Sequence, residues 1–201
     1  MVHNALAMPP LPTPKSDTGP VELLYMGRID PEKGLDVLIE ALGKLPAELP
    51  YWHITIAGTG RGRTVMPLLR RARDLNLESN ITWAGFVADA APLLAKAHIG
   101  ALPTRVPEAF GLAILEYMHS GTVPVVTDSG AQTEIVTDGA DGAVVATGNA
   151  DALADALARL IADGDERRRL AAAAVETASK RFDYSNFLND ITKIYKEATA
   201  T

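Results

Sequence analysis

Apolar positions follow two alternating rhythms along this chain. Short, nearly unbroken apolar runs give way to longer stretches in which they recur at helical spacing. The runs at 21–26, 53–57, 81–85, 99–102, 124–128 and 142–145 predict strands, the last a short edge strand. The first helix is expected to open at Asp30, with Pro31 in its first position and Leu35, Leu38, Ile39, Leu42 and Leu45 facing the core. A basic helix follows through Leu68, Leu69, Ala72 and Leu75, then a short one over 90–97. Another starts near Gly111, and a single turn covers 133–136. Beyond the sixth strand the pattern is helical: 151–163, an alanine-rich 165–182, and 184 to about 198 with Phe187, Ile191, Ile194 and Tyr195 at helical spacing.

Strands that do not alternate, separated by helices, predict an α/β fold. The expected architecture is a single Rossmann-like, doubly wound parallel sheet of about six strands, with helices on both faces and a helical C-terminal tail. In such folds ligands gather outside the carboxyl ends of the strands. Gly27-Arg28, Gly58-Thr59-Gly60, Pro107-Glu108 and Ser129-Gly130 are therefore expected to crowd one rim. Residues 1–20, with Pro9, Pro10, Pro12, Pro14 and Pro20, read as an extended linker or arm. The folded unit is expected over 21–182, with 183–201 as a separate terminal helix.

Composition narrows the function. With 201 residues, 47% of them hydrophobic, the chain can bury a substantial core. A net charge of −6 and a pI near 5.2 argue against a nucleic-acid binder. The absence of cysteine excludes disulfides and thiolate metal sites. No apolar run reaches the ~20 residues of a membrane span, and the N-terminus lacks a signal pattern, so a soluble cytoplasmic protein is expected. His3, His53, His98 and His119 show no metal-ligand spacing and are read as surface or strand-end residues. The basic run Arg167-Arg168-Arg169 is expected to face solvent or a neighbouring domain, and no spacing suggests a Ser/His/Asp arrangement.

Candidate chemistry concentrates between Pro107 and Gly121. Glu108 lies in a loop, Gly111 stands at a helix start, and Glu116 sits about 1.5 turns into that helix, leaning back toward its N-terminus. The unpaired amides of that helix's first turn form a seat for an anion, flanked by carboxylates that accept from a diol. That combination suits a ligand with both phosphate and hydroxyls. Arg28 and Lys33 are cations at a strand-end loop and a helix N-terminus, where the macrodipole disfavours them unless a phosphate docks there. Gly58-Thr59-Gly60-Arg61-Gly62 does not match the G-x-G-x-x-G spacing; it reads as a flexible strand-to-helix turn with a secondary role in lining the pocket.

Four segments, in order, resemble the group-1 glycosyltransferases of the GT-B fold. Gly27-Arg28-Ile29-Asp30-Pro31-Glu32-Lys33-Gly34 is similar to their GR-x-x-x-x-KG segment, and Ile56-Ala57-Gly58-Thr59-Gly60 to IAG-x-G. Glu108 through Glu116 matches their E-x7-E motif. Pro124 through Val136, followed by Asp138-Gly139-Ala140-Asp141-Gly142, resembles their PVV-x-x-D-x-G…E-I-V…DG-x-x-G. The resemblance implies a retaining transferase acting on a nucleoside-diphosphate sugar, with no cofactor and no metal. Arg28, Lys33 and Glu108 would be its catalytic residues, the two cations on the diphosphate and Glu108 on sugar hydroxyls. Gly27, Gly58, Phe110, Gly111, Leu112, Ser129 and Gly130 would line the donor site, and Glu116 would hold the ribose.

Three departures qualify the resemblance. Gly121-Thr122-Val123-Pro124 has an extra residue, Ala131 replaces a usual glycine, and only the C-terminal of two domains is represented. An N-terminal acceptor-binding domain, in the same polypeptide or in trans, is thus the expected partner, with the final helix packing toward it. Phe86-Val87 is a candidate to pack on the base. A non-catalytic subunit of a split enzyme, or an epimerase or phosphorylase of the same architecture, is the alternative.

Overall fold

A computed structural model describes residues 5, 15–16, 18–108 and 110–199, and every structural statement concerns these. Most of the proline-rich arm expected over 1–20, His3 included, lies outside them. The elements run β1 (Val21–Met26), α1 (Leu35–Leu42), β2 (Trp52–Ala57), α2 (Gly62–Asp74), β3 (Ile81–Gly85), α3 (Ala91–Lys96), β4 (Ile99–Leu102), α4 (Leu112–His119), β5 (Val123–Thr127), α5 (Gln132–Ile135), β6 (Ala143–Val145), α6 (Ala150–Ala162), α7 (Gly164–Arg181) and α8 (Tyr184–Thr199). All strand pairs are parallel, in the order β3-β2-β1-β4-β5-β6, so β6 is an edge strand as expected. Strand order reverses between β1 and β4, the crevice where doubly wound folds bind ligands.

Side-chain alternation along β1 sorts the core. Val21, Leu23 and Tyr25 pack with α1, α6 and Ala72 of α2, whereas Leu24 and Met26 meet Leu93, Ala97 and Tyr117 on the opposite face. α4, α5 and α7 share a second cluster there, through Ile114, Leu115, Met118, Ile135, Ala174 and Ala178. Each fully buried Leu or Ile in these layers contributes about 1.5–3 kcal/mol.

Helices lie on both faces of the sheet, as expected. α3 has six residues and packs on β1, so over β2 and β3 the same face stays open. His53 and Thr55 are half-buried there, and Thr82 and Ala84 are exposed. A polar row occupies this face: His53 Nδ1 lies 3.3 Å from Glu22 Oε2, and its Nε2 lies 3.0 Å from Thr82 Oγ1.

Three expectations need correction. Asp30 does not cap α1. Its Oδ1 accepts from the amide of Glu32 at 3.1 Å and caps a single 3-10 turn, Pro31–Lys33, which ends at left-handed Gly34 before α1 begins. His119 is buried at the end of α4, with neither ring nitrogen partnered among the described residues; burial lowers its pKa, opposed by the charge of Asp183. Arg167 and Arg169 do not simply face solvent. Arg167 donates to the carbonyls of Leu160 (2.7 Å) and Ile161 (3.0 Å) at the end of α6, and Arg169 to Gly139 O (3.0 Å). Open helix-end carbonyls attract a guanidinium without leaving a sequence signature.

α8 carries exposed Leu188, Ile194 and Tyr195, while Tyr184 and Phe187 stack with ring centroids 6.1 Å apart. No described helix is long and apolar enough to cross a membrane.

Candidate donor site

The loops after β1, β4 and β5 are tied together at the carboxyl rim. Thr104 Oγ1 (3.0 Å) and the amide of Arg105 (2.8 Å) both donate to Glu32 O, fastening the loop after β4 to the loop after β1. Thr127 Oγ1 donates to Thr104 O at 2.7 Å, fastening the end of β5 to the same loop. Arg105 also pairs with Asp36 at 2.6 Å. Gly34 makes the approach possible. Its φ is +67°, and a Cβ there would lie 1.9 Å from Pro103 O.

This strapping brings together two residues 75 positions apart. Lys33 Nζ is ion-paired with Glu108 Oε1, each side chain only 17% exposed. The backbone of Glu108 is held from the other side: it bridges Gly130, and its carbonyl accepts from the amide of Ala131 at 3.2 Å. Gly130 leaves no room for a side chain, since a Cβ would come within 2.6 Å of Glu108 N. Ser129 is buried beside it.

Downstream, Gly111 caps α4 in the left-handed conformation without a side-chain cap; of the first-turn amides that of Ile114 donates to Gly111 O at 2.9 Å, and those of Leu112 and Ala113 have no partner among the described residues. Phe110 packs edge-on against Phe182 of the α7 terminus, with centroids 5.9 Å apart and planes at 73°, and Leu112 is exposed. The Glu116 carboxylate makes no hydrogen bond or ion pair among the described residues, and burial pushes its pKa up. Arg28 lies in the same rim loop with its side chain 70% exposed, 3.7 Å from Asp30 Oδ2. Its carbonyl accepts from the buried Tyr25 hydroxyl at 2.8 Å. Burial, reinforced by the negative charge of Glu108, raises the Tyr25 pKa and keeps that hydroxyl protonated.

Gly58 corrects the flexible-turn reading. The β1–β2 ladder continues from Gly27 N to Ala57 O at 3.0 Å, and a Cβ on Gly58 would fall 1.8 Å from Gly27 O. The turn is a tight contact beneath the β1 loop. Among the described residues no group of His, Asp and Glu is placed to hold a metal. Tyr25, Thr104 and Tyr117 escaped the sequence reading, because their apolar or small polar character marks them only as core or loop. Gly34 was visible only as the last position of the first motif.

A family model described as "Glycosyl transferases group 1" matches residues 12–177. The chain belongs to the group-1 glycosyltransferases. Its relatives include the phosphatidyl-myo-inositol mannosyltransferase of Mycobacterium leprae, 33% identical over 182 residues, spanning 89% of this chain and 47% of that protein. The glycogen synthase of Mycobacterium tuberculosis is 32% identical over 183 residues, spanning 90% of this chain and 44% of that one. Among solved structures, Anabaena Alr3699/HepE in complex with UDP superimposes with a TM-score of 0.83 at 27% identity, covering 89% of this chain and 49% of that one. The C-terminal domain of the group-1 protein LpcC from Francisella tularensis matches at a TM-score of 0.75 and 25% identity, covering 87% of this chain and 89% of that domain. This glycosyltransferase chain thus spans about half the length of the curated relatives it matches, and its fold corresponds to a GT-B C-terminal domain.

Proposed function

We propose that this glycosyltransferase chain is the donor-binding half of a retaining enzyme that moves a sugar from a nucleoside-diphosphate sugar to a hydroxyl acceptor. The observation that carries the reading is the meeting of Lys33 and Glu108 across the β1–β4 crevice, beside the open N-terminus of α4. Donor binding exchanges that pair for two others: Lys33 and Arg28 take the diphosphate, and Glu108 accepts from sugar hydroxyls together with the backbone around Phe110, Gly111 and Leu112. Glu116 accepts from the ribose. As the anomeric C–O bond to the diphosphate breaks, charge grows on the leaving oxygen, where two cations and the α4 amides are already placed. The acceptor oxygen forms the new bond on the same face and gives up its proton to the leaving group. We assign this charge stabilisation to the protein's own donors, with no metal or cofactor.

An N-terminal acceptor-binding half, covalent or in trans, completes the enzyme in this reading. It is supported by the half-length coverage of the relatives and by the exposed apolar residues of α8. This chain alone then binds donor but transfers poorly, since the closed cleft that positions the acceptor is missing. Calorimetric titration with UDP, GDP and ADP tests the assignment. One of the three is expected to bind with micromolar-to-millimolar affinity; no binding by any of them at millimolar concentration overturns it.

Glu116 adds a prediction with opposite effects on stability and binding. Its folded pKa lies above the ordinary carboxyl value, so ionisation costs the folded state. The penalty is absent at pH below the unfolded pKa and develops as pH rises through the folded one. Glu116→Gln should therefore raise the melting temperature at pH 7, lose that gain in acid, and bind the nucleotide more weakly. Thermal unfolding at both pH values and a binding titration check the three outcomes.

A further inference from the structure

β1 and β4 separate before they reach the rim, and a side chain fills the gap. β1 pairs with β2 along its whole length, from Val21↔Trp52 to Met26↔Ala57, but with β4 only at Leu23↔Ile99 and Leu24↔Gly100. Backbone groups on a strand address its two neighbours alternately. Gly27 N serves β2, so Met26 N and Leu24 O face β4. The ladder with β4 ends at Leu24↔Gly100, so Met26 N lies beyond it. The Tyr117 hydroxyl takes the place of the next β4 carbonyl: it accepts from Met26 N at 2.8 Å and donates to Leu24 O at 3.3 Å. The Tyr117 ring is fully buried over Gly100, where a Cβ would lie 2.4 Å from it.

We propose that Tyr117 is a positioning residue for the donor site, a side-chain substitute for one peptide of β4 that keeps the β1–β4 crevice open and fixes the chain leading into Gly27 and Arg28. It rests on the donor-binding reading above. The phenol is suited to the task. One hydroxyl can accept and donate at once, and burial raises its pKa so that the proton stays in place. Tyr117 also follows Glu116 directly, so one turn of α4 carries both the wedge and a carboxylate assigned to the ligand. Gly100 supplies the space, which makes the two residues a matched pair 17 positions apart in the chain (117 − 100).

Tyr117→Phe keeps the ring and removes both hydrogen bonds. Thr122→Val is the control: it removes a buried hydroxyl at the opposite end of the sheet, where Thr122 Oγ1 donates to Ala97 O at 2.9 Å. UDP affinity by calorimetry and amide hydrogen exchange at Met26 to Arg28 are read for both. Tyr117→Phe is expected to weaken UDP binding about threefold to tenfold and to speed exchange at Met26, with Thr122→Val leaving both unchanged. Wild-type affinity and wild-type exchange in Tyr117→Phe overturn the proposal, as does equal weakening in the control. If the unaltered protein fails to bind UDP, GDP and ADP, the donor-binding reading falls and the exchange result still decides whether Tyr117 secures Met26. If Tyr117→Phe does not fold, exchange in the unaltered protein decides: Met26 protected like its ladder-bonded neighbours supports the wedge, and rapid exchange there overturns it.

Discussion

Lys33→Ala is expected to weaken nucleotide-diphosphate binding about 10- to 150-fold, the consequence of losing charge-assisted hydrogen bonds of about 1.5–3 kcal/mol. Two effects add in the same direction. The ammonium that would meet the diphosphate is gone, and Glu108, only 17% exposed on its side chain, is left as an uncompensated carboxylate beside the anion seat. A second variant separates these effects. Glu108→Ala in the Lys33→Ala background removes the stranded charge, so nucleotide affinity should recover in part while sugar recognition does not. Lys33→Arg preserves charge, but its planar fork replaces a compact ammonium in a shielded site, and intermediate binding is expected. Calorimetry across the three variants is the measurement. Unchanged affinity in Lys33→Ala would remove the cation from the site and the donor-binding reading with it.

Much of this geometry was legible in the sequence, for identifiable reasons. The run at 99–102 gave β4 to the residue, because a strand buried on both faces cannot alternate and so shows as an unbroken apolar block. The glycine and acid residues were predicted to share one rim because parallel strands all end on the same side, and Lys33 and Glu108 do meet there. Positions assigned to the first helix by apolar spacing alone were right for Leu35, Leu38, Ile39 and Leu42, whereas Leu45 lies beyond the helix end, partly buried against the same core. The start at Asp30 failed because a cap residue and a proline look the same before a 3-10 turn as before an α-helix.

What remained hidden depends on partners that periodicity does not encode. Tyr117 falls at a core position of α4, and nothing local indicates that its hydroxyl reaches into the β1–β4 ladder. The straps from Thr104 and Arg105 end on the carbonyl of Glu32, a group every residue possesses. The open face over β2 and β3 follows from α3 being too short to span it. Burial of Glu116 likewise emerges only once the neighbouring elements are in place. Helix spacing located that carboxylate without indicating the cost of its charge.

Gly34→Ala is expected to be a strongly damaging single-methyl change in the rim, reducing both stability and nucleotide binding. Two costs combine. The residue adopts φ +67°, which costs a non-glycine residue on the order of 1 kcal/mol, and the added methyl would lie 1.9 Å from Pro103 O, a backbone atom that no rotamer change can clear. The loop after β1 must then withdraw from the loop after β4. That withdrawal pulls Glu32 O away from Thr104 and Arg105 and separates Lys33 from Glu108. A loss of about 2–4 kcal/mol in unfolding free energy is expected, at the upper end for a point substitution. Gly139→Ala provides the comparison. It also stands at positive φ, +68°, but a Cβ there meets nothing within 4 Å, so it isolates the conformational cost from the collision. Chemical denaturation should place Gly139→Ala about 1 kcal/mol below the unaltered protein, with nucleotide binding intact. Equal losses in the two variants would mean that the β1–β4 loop contact is dispensable and that Lys33 reaches Glu108 without it.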